Sequence, residues 1–255
     1  MTMLDSSFLK LPLAHRGLHD VSDARPENSR AAIRAAIAAG YGVEIDLQMS
    51  SDGTAMCFHD YDLGRLTEET GPIRQRSAAD LGNIRLKGGE ESIPTFAEIL
   101  EIVDGQVPLL VEIKDQDGLM GSNVGLLEQA AARDAQGYQT GLAFMSFNPY
   151  SVAALADAAP DVPRGIVTDG YLAEDWPILP ARIRDTLRAI PDFDRVKASF
   201  ISHQASSLKT TVVADLKDKG VPVLCWTIRS PEAEAQAREV ADNVTFEGYL
   251  AEIPA

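Results

Sequence analysis

The segment Val43-Glu44-Ile45-Asp46-Leu47 sets two carboxylates two residues apart inside an apolar run. In a strand, where side chains alternate with period 2, both point to the same face. Leu109-Leu110-Val111-Glu112-Ile113-Lys114 repeats the pattern, with a third acid in an apolar run where it is costly without a partner. Glu44, Asp46 and Glu112, if brought together at neighbouring strand ends, have two uses. They can supply the oxygen donors of a hard divalent cation, Mg2+ or Ca2+, or they can pair with Arg and Lys in a salt-bridge network. Two histidines end strand-like runs: His15 in Leu13-Ala14-His15-Arg16-Gly17, and His59 in Cys57-Phe58-His59-Asp60. Imidazoles with an ordinary pKa of about 6.5 can act as general base and general acid at neutral pH, which suits displacement at a phosphodiester. Either histidine can instead be a metal ligand or a strand-end cap. Arg16 and Lys114 follow a histidine and a strand acid, where they can grip phosphate oxygens, by a fork and a point charge respectively, or neutralise the acids. His19 and His203, the latter in Ser202-His203-Gln204, read as loop residues or substrate neighbours.

Short apolar runs bounded by turn residues alternate with stretches of helical spacing, the signature of βαβ units around a parallel sheet. Strands are predicted at 11–14, 42–47, 108–113, 141–146, 163–168, 195–199, 221–227 and 243–247. Helices are predicted at 28–39, 95–103, 121–136, 149–159, 180–190, 206–219 and 230–240. Eight strands with helical crossovers imply an α/β fold of the closed (β/α)8 TIM-barrel type, because open doubly wound sheets normally carry fewer. The rhythm breaks after the second strand. Ser51-Asp52-Gly53 reads as a tight turn leading into a short strand at 54–58, followed by a polar stretch with Gly64, Gly71-Pro72 and Gly88-Gly89. The expectation is one domain over residues 1–255, with an insertion subdomain at about 60–92 on the catalytic face.

Composition removes several function classes. The 255 residues hold 23 Lys+Arg and 38 Asp+Glu, a formal charge of −15. With no basic run, nucleic-acid binding and membrane-surface docking are disfavoured. The longest apolar stretches, near 31–39 and 107–111, fall short of the ~20 residues of a spanning helix. Residues 1–13 lack the apolar core of a secretory signal, so the expected location is cytoplasmic. Cys57 and Cys225, each inside an apolar segment, are expected as buried thiols. There is no Walker loop, dinucleotide fingerprint, Gly-x-Ser-x-Gly elbow or His-Glu-x-x-His motif.

Taken together, His15-Arg16-Gly17, Pro26-Glu27-Asn28-Ser29, Glu44-Ile45-Asp46-Leu47-Gln48, Ser51-Asp52-Gly53, Phe58-His59-Asp60 with Leu63, Arg65 and Thr67, Ile93-Pro94-Thr95 and Glu112-Ile113-Lys114 closely resemble the glycerophosphodiester phosphodiesterase family. Weaker echoes continue in Ser146-Phe147-Asn148-Pro149 and around Trp226. The resemblance implies a (β/α)8 barrel that uses a divalent metal to hydrolyse small glycerophosphodiesters to glycerol 3-phosphate and an alcohol. It implies His15 and His59 as the acid/base pair, Glu44, Asp46 and Glu112 as metal ligands, Arg16 and Lys114 as phosphate contacts, and Trp226 as a wall beside the glycerol group. The last strand departs from the family pattern: Asn243-Val244-Thr245-Phe246-Glu247-Gly248 stands where a Gly-Ile-Thr-Asp-like segment and a Pro are usual. Residues after 247 leave space for a single helical turn at most. Two other readings use the same residues. One is a phosphodiesterase of the sphingomyelinase D or phosphatidylinositol phospholipase C type; the other is a non-catalytic barrel binding a phosphorylated metabolite. The sequence carries no signal for oligomeric state.

Overall fold

The computed structural model describes residues 2–138 and 141–254. Its strands are β1 (Leu13–Ala14), β2 (Gly42–Met49), β3 (Ala55–Cys57), β4 (Leu109–Ile113), β5 (Leu142–Ser146), β6 (Arg164–Thr168), β7 (Phe200–Gln204), β8 (Val223–Ile228) and β9 (Asn243–Phe246). All except β3 run parallel, and β1 pairs with both β2 and β9, so the sheet closes on itself as the eight-stranded barrel that the alternation predicts. β3 is an added strand, antiparallel to the far end of β2.

The helices are α1 (Ser7–Lys10), α2 (Arg30–Ala38), α3 (Ala78–Leu81), α4 (Phe96–Val103), α5 (Leu126–Asp134), α6 (Pro149–Ala158), α7 (Ala181–Arg188), α8 (Thr211–Asp218) and α9 (Pro231–Ala237). Local chemistry sets several starts. Ser29 and Ser230 cap α2 and α9 with their hydroxyls, Thr95 and Glu98 form a capping box on α4, and Asn148 precedes Pro149 at the first position of α6.

Alternation along the strands divides the apolar side chains into two layers. Val43, Ile45, Leu47, Val111 and Phe144 pack outward against the helices. Leu13, Leu110, Ala143, Met145, Val167, Phe200 and Leu224 fill the barrel interior. Leu4 and Phe8, from the N-terminal segment that contains α1, plug the lower mouth of this interior, and the Asn243 side-chain amide donates to the Phe8 and Leu11 carbonyls. Gly165 makes room for the Phe200 ring: a Cβ there would lie 2.3 Å from a ring carbon. After β3, the chain gathers Phe58, Leu63, Ile73, Leu81, Leu86 and Ile93 with Met56 into a small cluster of its own beside the barrel. Among the described residues no helix follows β9; instead the Tyr41 hydroxyl donates to the Ala251 carbonyl. Among the described residues no helix is long and apolar enough to cross a membrane. Cys57 and Cys225 are buried and form no disulfide.

The structure corrects three expectations. The strand expected at 195–199 lies at Phe200–Gln204, because the preceding residues turn and Lys197 takes a left-handed backbone (φ 53°) that interrupts any ladder. His203 is therefore a buried strand residue. Its Nδ1 accepts from the Thr168 hydroxyl and its Nε2–H donates to the Ser207 carbonyl, so it is neither a loop residue nor a neighbour of the site. The helix expected from 121 starts at Leu126, since the Asp115 and Asp117 carboxylates bind backbone N–H groups from 117 to 121 and hold that stretch in a loop.

Candidate active site

The interior positions of β2 and β4 carry the acids, and the parallel register places Asp46 opposite Glu112. One oxygen from each of Glu44, Asp46 and Glu112 lies within 4.8 Å of the others, all three side chains being buried. Burial, then repulsion from Asp46 and Glu112, pushes the Glu44 carboxyl well above the usual carboxylate range. Burial opposes ionisation of Asp46 as well, but Lys114, His59 and Arg16 outweigh it and hold that carboxyl far below the usual range. The Lys114 Nζ lies 2.8 Å from both Asp46 and Glu112. Burial works against its charge, and those two acids more than compensate, so it stays an ammonium.

The salt-bridge arrangement is thus present in part, and it leaves Glu44 uncompensated. Glu44 accepts the Arg16 backbone N–H at 3.0 Å, and His15 Nε2 lies 4.0 Å from it. Arg16 divides its charge between Glu27 (2.6 Å) and Asp46 (3.4 Å). Three buried acids against one Lys and a shared Arg form an oxygen-donor set with surplus negative charge. That set fits a hard divalent cation.

The turn after β1 delivers both His15 and Arg16. Arg16 itself has a left-handed backbone (φ 56°), and Gly17 (φ 77°) passes so close to α2 that a Cβ would meet the Ala32 carbonyl carbon at 2.9 Å. His15 Nδ1–H donates to Glu247, just beyond β9, at 2.5 Å. Burial lowers the His15 pKa, and the hydrogen bond to Glu247 opposes that shift. His59 follows β3, and its Nδ1–H donates to the adjacent Asp60 at 2.6 Å. Arg65, from the inserted segment, contacts both Asp60 and Glu27 and so links the neighbourhood of His59 to that of Arg16.

All eight residues singled out from the sequence line one cavity of about 190 Å3 at the C-terminal ends of the strands: His15, Arg16, Glu44, Asp46, His59, Glu112, Lys114 and Trp226. Phe147 and Arg229 join them. Trp226 donates its indole N–H to the Ser202 carbonyl and meets Phe147 edge-on at 5.4 Å, giving the cavity an apolar wall opposite its ionic one. Sequence reasoning left two contributors without a role. Asn28 donates to the Asp46 carboxylate at 2.9 Å and accepts the Asp46 backbone N–H, and its place beside Glu27 in the Pro-Glu-Asn-Ser motif was the available signal. Glu247 carried a fainter signal, a carboxylate that continues the interior series Asn243, Thr245 on the last strand. The groups converging here can hold a phosphate with cations, place two imidazoles beside it and bind a divalent ion.

A family model described as the glycerophosphoryl diester phosphodiesterase family matches residues 15–244. The glycerophosphodiester phosphodiesterase of Caldanaerobacter subterraneus is 26% identical over 245 residues, covering 92% of each chain. Human glycerophosphodiester phosphodiesterase 1 is 34% identical over 113 residues, covering 40% of this chain and 33% of the human protein. Among solved structures, an Oleispira antarctica phosphodiesterase in complex with its product sn-glycerol-3-phosphate aligns with a TM-score of 0.72 at 25% identity, over 93% of both chains. A Silicibacter pomeroyi protein aligns with a TM-score of 0.77 at 19% identity, over 94% of this chain and 93% of the other, and supports the fold alone.

Proposed function

Because this chain belongs to the glycerophosphoryl diester phosphodiesterase family, we propose that it hydrolyses small glycerophosphodiesters to glycerol 3-phosphate and an alcohol with the help of Mg2+ or Ca2+. The observation that carries this reading is the convergence of His15, His59, Lys114 and Arg16 on a buried, charge-surplus carboxylate trio in one cavity. The product bound to the Oleispira antarctica relative supports the substrate class.

Glu44, Asp46 and Glu112 would hold the cation. When bound, a hard dication supplies Lewis-acid charge for the phosphoryl oxygens. Lys114 and the Arg16 guanidinium grip those oxygens. Arg16 Nε is buried without a hydrogen-bond acceptor and so has a donor to give. One imidazole takes the proton from the glycerol hydroxyl next to phosphorus, and that oxygen attacks phosphorus. The other imidazole protonates the departing alcohol, and the two reverse roles when water opens the cyclic phosphate. Trp226 and Phe147 pack against the carbon skeleton of the glycerol.

The direct test is release of glycerol 3-phosphate from glycerophosphocholine by the purified protein. It is run with EDTA, then with Mg2+ or Ca2+ restored. Cation-dependent release is the expected result. A folded protein that releases nothing under either cation would overturn the reading.

A further inference from the structure

Glu247 touches His15, a catalytic candidate, without belonging to the buried acid trio. One oxygen, Oε2, accepts the His15 Nδ1–H at 2.5 Å and lies 3.6 Å from His19 Nε2; the other, Oε1, accepts from Arg229 Nε at 2.7 Å. The carboxylate is only 19% exposed. An imidazole has two ring nitrogens, and the partner of one decides the tautomer and direction of the other. With Nδ1 engaged by Glu247, His15 presents Nε2 toward Glu44 at 4.0 Å, inside the cavity.

We infer that Glu247 is a positioning residue for His15: it selects the tautomer with the proton on Nδ1 and aims Nε2 at the substrate, while Arg229 clamps the opposite carboxylate oxygen. Its position supports this role. His59 has its carboxylate partner next to it in the chain, whereas His15 is followed by Arg16 and takes its partner from 232 residues away. Strand closure between β1 and β9 delivers that partner, with Ala14 opposite Phe246. The two histidines therefore have matching hydrogen bonds through Nδ1, built by different means. The catalytic consequence rests on the phosphodiesterase reading, but the tautomer does not.

The experiment has two arms. In the first, protein labelled with 15N-histidine is examined by long-range 1H–15N correlation near pH ~8, above the ordinary imidazole pKa of about 6.5. With only four histidines, each ring is assigned by single substitution. The expected wild-type spectrum shows a protonated Nδ1 and a pyridine-like Nε2 for His15, a pattern lost in Glu247→Ala. In the second, turnover of glycerophosphocholine is followed. Glu247→Ala is expected to lower kcat by roughly 10^2-fold with KM within about threefold of wild type, and Glu247→Asp to recover at least about tenfold of that loss. A wild-type His15 with its proton on Nε2 would overturn the inference even if Glu247→Ala fails to fold. So would a folded Glu247→Ala whose kcat stays within about threefold of wild type. Absence of turnover by the wild type under every cation would sink the phosphodiesterase reading, and the spectrum would still decide the role of Glu247.

Discussion

The lower and upper halves of the barrel interior are built from the same strands and the same alternation, yet they hold opposite chemistries. β4 contributes Leu110 to the lower layer and Glu112 to the upper, and Lys114 follows just past the strand; β1 contributes Leu13 below, and His15 follows it above. Below, Phe8, Leu110, Phe200 and Leu224 exclude water and are fully buried. Above, buried acids repel one another, Lys114 and Arg16 offset that repulsion in part, and the acid set could bind a metal ion. The contrast separates two tasks along a single set of strands. The apolar half secures closure of the barrel, and the ionic half gives up stability to hold unlike charges where a phosphate can meet them.

The most severe break in the comparison should come from the upper half. His15→Ala or His59→Ala is expected to lower kcat by roughly 10^2 to 10^4 while the melting temperature stays near that of wild type. Steady-state kinetics together with thermal denaturation checks this, and a loss below tenfold in both variants would remove the acid/base pair. Next in size, Phe200→Ala should invert that outcome. It empties the space beside Gly165 and should destabilise by about 3–5 kcal/mol in denaturant titrations, while kcat per folded molecule is retained.

Glu44→Gln sharpens the contrast in a third way. Removing one of three repelling carboxylates should stabilise the metal-free protein by about 1 kcal/mol, even as it weakens cation affinity by at least the roughly 10–100-fold that loss of a supporting ligand group costs. The sign with pH follows from the raised Glu44 pKa. An acid whose folded pKa lies above its unfolded value of about 4.3 contributes stability below that value and loses it as pH rises through the folded pKa. The advantage of Glu44→Gln over wild type without metal should therefore grow as pH increases from about 4.3, and melting curves with EDTA at several pH values measure it. An advantage that shrinks with pH would mean that Glu44 is compensated by groups already in the protein.

The smallest effect belongs to Arg65, which is about half exposed. Arg65→Ala should cost no more than about 1 kcal/mol, because solvent screens its pairs with Glu27 and Asp60. Lost pairing should be more visible at low salt than at high salt. Chemical denaturation at two ionic strengths provides the measurement.

Much of the fold and the site could be read along the chain wherever partners are close in sequence. The i, i+2 spacing of Glu44 and Asp46, the neighbouring His59 and Asp60, and seven of the eight barrel strands are carried by local alternation and turn residues. Where the reading failed, local signals competed. Ser202-His203-Gln204 looks polar enough for a loop, yet Ser202 faces the barrel interior and His203 finds hydrogen-bond partners in Thr168 and Ser207, so a strand can bury them. The helix expected from 121 starts only at Leu126, because Asp115 and Asp117 capture the N–H groups leading up to and including that of Gly121.

The sequence by itself determined which residues are acids, bases and strand formers, and through period-2 alternation which of them share a face. Only the tertiary structure decided that Lys114 bridges Asp46 to Glu112, that Glu44 is left without a cation of its own, and that Glu247 reaches His15. The physical reason is that spacing along a strand sets direction, whereas charge compensation depends on distances across strands. Those distances exist only once β1 has met both β2 and β9 and the ring is closed.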